Sequence, residues 1–237
     1  MRIGAIIFSR LSSKRLPNKA LEFLGDKSLI NHVVDRAKKI KNISNLIVAT
    51  SNARSDDMLV NHIKKFNVQH FRGELDDVTL RAYNCCDKFN LDAFVRICGD
   101  RPFFDPEEVS KAIEFFLLKN SSSDIDMVTN INRNVAPGLK IEILKKNTLK
   151  FILQSTDSLD YREHLTKYIY HNLSDFNIVN LKKPNYNDEK NSYVIDNYFD
   201  LDRTKYVLKK MNFKNIFNMK KIIETTDQWM NNKKNNE

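Results

Sequence analysis

Over its first 120 residues the chain alternates between two hydrophobic periods, and that alternation limits the fold more than any other feature. Short apolar runs with strand character take turns with amphipathic stretches of helical period, and the loops between them are brief. Residues 2–9 (RIGAIIFS), 45–50 (NLIVAT), 68–71 and 93–98 (AFVRIC) read as strands. Residues 28–40, 55–66, 76–89 and 106 to about 119 read as helices. Leu29, Val33 and Ala37 share a face of the first helix, Ser28 stands at its N-cap, and its last turn is cationic. Ser55 stands at the cap of the second, and Asp105 with Pro106 opens the fourth. Strands joined through helices form a parallel sheet covered on both faces. The expected class is therefore α/β, a three-layer, mostly parallel Rossmann-like sheet. Ligands of such sheets collect at the carboxyl ends of the strands.

Beyond residue 120 the pattern changes. "NSSSDID" at 120–126 is a polar break. Residues 127–131 and 139–144 read as strands, 161–172 as a helix and 176–182 as extended chain. The range from about 132 to 190 reads as a small α+β insertion that leaves the main sheet, with 193–195 returning to it. Helices at about 200–211 and 219–230 follow, and the final NNKKNNE reads as disordered. One domain over 1–237 is expected.

Composition closes off several classes. Hydrophobic residues make up 41%, as in globular domains. No apolar run reaches membrane-spanning length, and the N-terminus has no signal-peptide pattern. Three cysteines without a CxxC pair fit a reducing cytoplasm. The net charge is +9, but the lysines are scattered and form no stripe interleaved with aromatics. A nucleic-acid partner is not expected, nor is a membrane.

The first loop concentrates chemistry. "SRLSSKRLPNK" places Arg10, Ser12, Ser13, Lys14, Arg15 and Lys19 directly after a buried strand. Cations so close repel one another unless an anion lies among them. Arginine grips phosphate oxygens in pairs, lysine supplies a point charge, and hydroxyls fill the remaining acceptors. The loop is not a Walker loop and has no GxGxxG. A second site feature follows the fourth strand, where Gly99 lets the backbone turn and Asp100 offers a carboxylate to Mg2+. Cys98 reads as a small hydrophobe beneath the site, without a histidine partner.

These blocks resemble the cytidylyltransferases that make CMP-activated sugars, whose loop reads roughly A-R-x-x-S-x-R-x-P-x-K. Within that group the chain most resembles the spore coat polysaccharide biosynthesis protein F-like cytidylyltransferases. The likeness runs through "LIVATS", "FRGELDDVTLRAY", "VRICGDRPFFDPEEV", "PGLKIEIL", "YREHLTKYI" and "YVIDNYFDL". It implies a nucleotide-diphospho-sugar transferase fold and a reaction. An oxygen of a sugar acid, or of a sugar or polyol phosphate, attacks the α-phosphorus of CTP, and pyrophosphate leaves.

The resemblance also implies site residues. Arg10, Ser13, Arg15 and Lys19 would grip the triphosphate, with Arg72 near the nucleotide. By its position after the second strand, and apart from the resemblance, Thr50 can line the base or ribose pocket. Arg72 can instead pair with Asp76 or Asp77, which can also simply cap the next helix. Asp100 would hold Mg2+ with Asp196 as partner, although Asp196 can also be a helix cap, with Asp200 and Asp202 as nearby substitutes. Lys140, Glu142, Arg162, Glu163 and His164 would face the acceptor. His164 and His171, seven apart on one expected helix, would share a face. A homodimer is expected.

Two positions depart from the family pattern. Lys140 stands where many relatives have an acid, and Asn18 stands where glycine is favoured, although asparagine tolerates positive φ. Rival readings are a nucleotidyltransferase using another nucleoside triphosphate and a glycosyltransferase. The first usually carries a glycine-rich opening loop, but this chain has no glycine between Gly4 and Gly25. The second needs a D-x-D after a strand, and the "DLD" at 200–202 begins an expected helix.

Overall fold

A computed structural model of the chain describes residues 1–131, 135–182, 184, 186, 188–212 and 217–235. The elements run β1 (Ile3–Phe8), β2 (Phe23–Leu24), β3 (Lys27–Ser28), α1 (Leu29–Ala37), β4 (Asn45–Ser51), α2 (Asp57–Lys64), β5 (Gln69–Gly73), α3 (Val78–Lys88), β6 (Ala93–Cys98) and α4 (Pro106–Asn120). They continue as β7 (Met127–Thr129), β8 (Glu142–Lys145), α5 (Lys146–Ser155), α6 (Leu159–Glu163), α7 (Lys167–His171), β9 (Ile178–Asn180), α8 (Tyr198–Lys210) and α9 (Met219–Lys234).

The main sheet has the order β5–β4–β1–β6–β8–β7–β9. Strands β5, β4, β1 and β6 are parallel neighbours, and β8 is antiparallel to both β6 and β7. Side chains alternate across it. Ala5, Ile7, Val48 and Val95 face one apolar layer with Leu29 and Val33 of α1 and Ile113 of α4. Ile6, Ile47 and Phe94 face the other, with Ala82, Cys85 and Cys86 of α3 and Leu149 and Ile152 of α5. This is the expected three-layer α/β fold. Register aligns Phe8 with Ala49 and Cys98, and Ser51 with Gly73, so the four parallel strands end along one edge.

Three details differ from the sequence reading. Strands β8 and β9 lie within the range expected to leave the main sheet, yet they belong to it, because Ile143 and Leu144 bury an apolar side chain on each face. Residues 193–195 form no strand, although Tyr193 donates its N–H to the Pro137 carbonyl at 2.7 Å and Ile195 to the Asp100 carbonyl at 2.9 Å. Helix α9 extends to Lys234, into the tail read as disordered, whose final two residues lie outside the described residues.

Cap chemistry differs too. Asp77 and Asp105 accept from backbone N–H groups at the starts of α3 and α4, as an N-cap should. Ser28 makes no cap bond, because its hydroxyl meets His62 Nε2 at 2.9 Å. Ser55 caps nothing either, since a 3-10 turn over Arg54–Asp56 precedes α2. Residues 161–172 break into α6 and α7 around Leu165, which is drawn fully into the core. His164 and His171 therefore share no helix.

The turn before β8 carries a sharp constraint. Gly138 has φ +94°, and a Cβ there would lie 2.6 Å from the Tyr193 carbonyl carbon. Gly138→Ala is expected to destabilise the protein by more than about 1 kcal/mol, since left-handed strain adds to the clash. The check is the urea midpoint at unchanged m-value. An unmoved midpoint would contradict this account of the turn.

Candidate active site

A cleft of about 580 Å³ opens at the carboxyl edge of β1 and β6. Twelve of the residues singled out from sequence line it: Arg10, Ser12, Ser13, Lys14, Arg15, Lys19, Cys98, Gly99, Asp100, Glu163, His164 and Asp196. They come from the opening loop, the end of β6, helix α6 with the residue after it, and the segment before α8.

The opening loop is held from behind. Leu11 N–H donates to Asp56 Oδ1 at 2.7 Å, while Thr50 Oγ1 donates to Asp56 Oδ2 at 3.0 Å and Ser51 N–H to the same oxygen at 3.1 Å. The Ser51 hydroxyl donates to it as well. Burial alone would raise the Asp56 pKa, but the bonds from Ser51, Leu11 and Thr50 lower it overall. Asn18 turns the loop at φ 58°, in the left-handed region that the sequence reading allowed it. Leu16, buried in the core, ties the loop's far side down.

The loop's cations face carboxylates across the cleft. The Lys19 ammonium donates to Asp100 Oδ2 at 2.8 Å and to the Ile195 carbonyl at 2.7 Å, and lies 3.7 Å from Asp196 Oδ1. Arg15 pairs with the other oxygen of Asp196. Arg10 donates to Glu163 Oε1 at 2.7 Å. Asp196 is not a helix cap. That task belongs to Asn197 and Asp200 in a reciprocal capping box, and Asp200 also pairs with Arg203 at 2.9 Å. The Asp196 carboxylate is thus left to the cleft, and Asp200 is already committed elsewhere.

Five residues expected at the site lie outside the cleft wall. Thr50 is fully buried against Asp56. Arg72 reaches backward to Asp57 at 2.6 Å and to the Ser51 and Ala53 carbonyls, so it pairs with neither Asp76 nor Asp77. Arg162 joins Asp77 and Asp157 to the Leu153 and Thr156 carbonyls, binding α6 to α3. Lys140 borders a small void beside Arg101. Glu142 is buried under the cleft, where it accepts from Arg96 and, at 2.8 Å, from Tyr170 Oη. Burial would raise the Glu142 pKa, but Arg96 and Arg101 outweigh it and hold the carboxyl at about 2.

Sequence reasoning missed three residues. Asp56 follows Ser55 in the sequence, where an acid reads as belonging to the first turn of the expected helix. Arg96 alternates outward from a buried strand and lines the cleft. Arg81 lies within a family-like block, and only the fold turns it to the cleft.

The family model described as cytidylyltransferase matches residues 4–227. An uncharacterized protein of Methanocaldococcus jannaschii is 36% identical over 78% of this chain and 74% of its own. The spore coat polysaccharide biosynthesis protein SpsF of Bacillus subtilis is 31% identical over 76% of this chain and 74% of its own. Among solved structures, a cytidylyltransferase from Leptospira borgpetersenii superposes with TM-score 0.87 at 26% identity, covering 99% of this chain and 96% of that one.

The Glu142–Arg96 pair predicts an acid-sensitive component of stability. A carboxyl held at about 2 in the folded chain, against an ordinary 4.5, stabilises fully above pH 4.5 and loses that contribution as pH falls toward 2. The contribution is on the order of 3 kcal/mol. Glu142→Gln is therefore expected to melt well below the parent at pH 7, with the gap closing between pH 4.5 and 2. A gap independent of pH would contradict it.

Proposed function

The chain belongs to the cytidylyltransferase family of nucleotidyltransferases, and on that premise we propose that it transfers CMP from CTP to a sugar acid or to a sugar or polyol phosphate. One observation supports this reading above the rest: the loop's cations line one wall of a cleft whose other walls hold Asp100, Asp196, Glu163 and His164. An acceptor oxygen attacks the α-phosphorus, a new P–O bond forms, and the bond to the β-phosphate breaks to release pyrophosphate. Such transfer depends on in-line positioning and on stabilising the charge that develops.

Arg10, Ser12, Ser13, Lys14, Arg15 and Lys19 hold the triphosphate. Arg10, Arg15 and Lys19 oppose the charge that builds on the leaving pyrophosphate. Gly99 lets the floor lie close, since a Cβ there would meet Ser9 Cβ at 2.7 Å. Glu163 and His164 face the acceptor. Arg162 acts on them indirectly by fixing α6, and Glu142 by fixing Arg96. Lys140, beside its void, is the acceptor-side residue with the least support. Thr50 and Arg72 support the loop and the β4 edge and do not touch the base.

Mg2+ fits the donor set. Asp100 and Asp196 lie far apart in the sequence, and both reach one ammonium, that of Lys19. Among the described residues no cluster of three or more His, Cys, Asp or Glu side chains forms, and Mg2+ commonly takes one or two carboxylates and fills its other positions with water and phosphate. When bound, the ion would draw charge from the phosphate oxygens.

The name of the Bacillus relative favours a place in surface polysaccharide or glycan synthesis. Unpaired Cys85, Cys86 and Cys98 favour a reducing cytoplasm. Among the described residues no helix is long and apolar enough to cross a membrane. Exposed Phe151, Leu159 and Leu173 favour a homodimer.

The test is a calorimetric titration with CTP, UTP, ATP and GTP in Mg2+, beside Arg15→Ala. The Arg15 side chain is 70% exposed, so its removal should leave folding intact. CTP is expected to bind selectively, and the variant to lose about tenfold or more in affinity, equivalent to about 1.4 kcal/mol. Equal or absent binding of all four nucleotides would sink the reading.

A further inference from the structure

Arg81 is 2% exposed, yet it forms part of the cleft wall with Phe8, Arg10 and Val78. Its Nη1 donates to the Glu74 carbonyl at 2.9 Å, and its Nε is buried without a hydrogen-bond partner. The acids whose charge reaches it are engaged elsewhere. Asp56 accepts from Leu11, Thr50 and Ser51, and Asp77 accepts from Leu80 N–H and pairs with Arg162. A guanidinium that is buried with one carbonyl acceptor and, among the described residues, no paired carboxylate carries a desolvation cost that the charges of Asp56 and Asp77 offset only in part.

Other buried arginines in this chain show the contrast. Arg36 is 1% exposed, and its Nε donates to the Phe104 carbonyl at 2.7 Å. Arg96 has Glu142. Arg81 Nε has no such acceptor and, among the described residues, no carboxylate pairs with the Arg81 guanidinium, although the fold makes room for it. A Cβ on Gly73 would lie 2.8 Å from Arg81 Cγ. Burial and the positive charge of Arg10 push the Arg81 pKa down to about 10. Two like charges on one wall are relieved by an anion between them, and a neutral pyrimidine would not relieve them.

We propose that Arg81 is a nucleotide-binding residue that donates to a non-bridging phosphate oxygen of CTP, an oxygen it shares with Arg10. This rests on the cytidylyl-transfer reading of the same cleft. The loop's cations meet the triphosphate from the solvent side, and Arg81 meets it from the α3 side. The bound triphosphate would therefore compensate a charge that pairs with no carboxylate among the described residues.

The test measures CTP and cytidine affinity in Mg2+ for the parent, Arg81→Met and Arg81→Lys, with the melting temperature of each free protein. Arg81→Met is expected to melt at or above the parent and to bind CTP at least tenfold more weakly, with cytidine affinity unchanged. Arg81→Lys, which keeps the charge but loses the Nε donor, is expected to fall between them for CTP alone. CTP affinity within twofold of the parent in both variants would overturn the proposal. Equal weakening of CTP and cytidine, or a large drop in melting temperature without selective loss of CTP, would overturn it as well. A parent that binds no CTP would instead overturn the reading on which the proposal rests.

Discussion

A carboxylate behind the cleft sets the shape of its front. Asp56 is fully buried and accepts bonds from the Leu11 backbone, the Thr50 hydroxyl and both donors of Ser51. Those bonds join the ends of β1 and β4 at the point where the cationic loop departs. A loop carrying Arg10, Lys14, Arg15 and Lys19 gains nothing from self-repulsion and needs an external anchor to stay compact. Asp56 supplies it from behind, and Asn18 and Leu16 supply it from below. The side chains are thereby directed into one cleft before any ligand arrives, which reduces what binding must spend on ordering them.

Three of these cations, Arg10, Arg15 and Lys19, are matched by carboxylates of the protein itself. Lys19 lies between Asp100 and Asp196, Arg15 pairs with Asp196, and Arg10 pairs with Glu163. These pairs bridge the first twenty residues to three distant parts of the chain. They hold the cleft in register while leaving its charges exchangeable, because partly exposed pairs are individually weak. In the proposed reaction a polyphosphate would replace the carboxylates as partner to the cations and release the carboxylates to a divalent ion. Below this layer, the half-buried Arg96 pairs with the buried Glu142, a carboxylate that would be costly to leave without its partner.

The sheet was legible because its period is local. Strands β1, β4 and β6 are continuous apolar runs between helices, and they could be bounded to within a residue or two. The antiparallel insertion of β8 was not legible, because it depends on β6 and β7 offering edges that lie far away in sequence. The cationic loop and Asp100 were legible from residues set directly after buried strands, whereas Asp196 was reached only through the resemblance to the family. Thr50 was assigned to the nucleotide for its position after a strand and Arg72 through the family resemblance, but the structure turns them toward Asp56 and Asp57. Arg81 was overlooked because one arginine on an amphipathic helix gives no sign of the face it will occupy. Asp56 was overlooked for the same kind of reason, since its partners Leu11 and Thr50 come together only in the fold.

The central claim is that the opening loop and the β6 end hold a cytidine triphosphate between them. A crystal structure of the protein with CTP and Mg2+ tests it most directly. The account predicts the triphosphate between the Arg10–Lys19 loop and Gly99, with density for an ion against Asp100 and Asp196 and Lys19 turned from the carboxylates to phosphate. A nucleotide bound away from this loop, or a cleft left empty at saturating CTP with the Lys19–Asp100 pair intact, would contradict it.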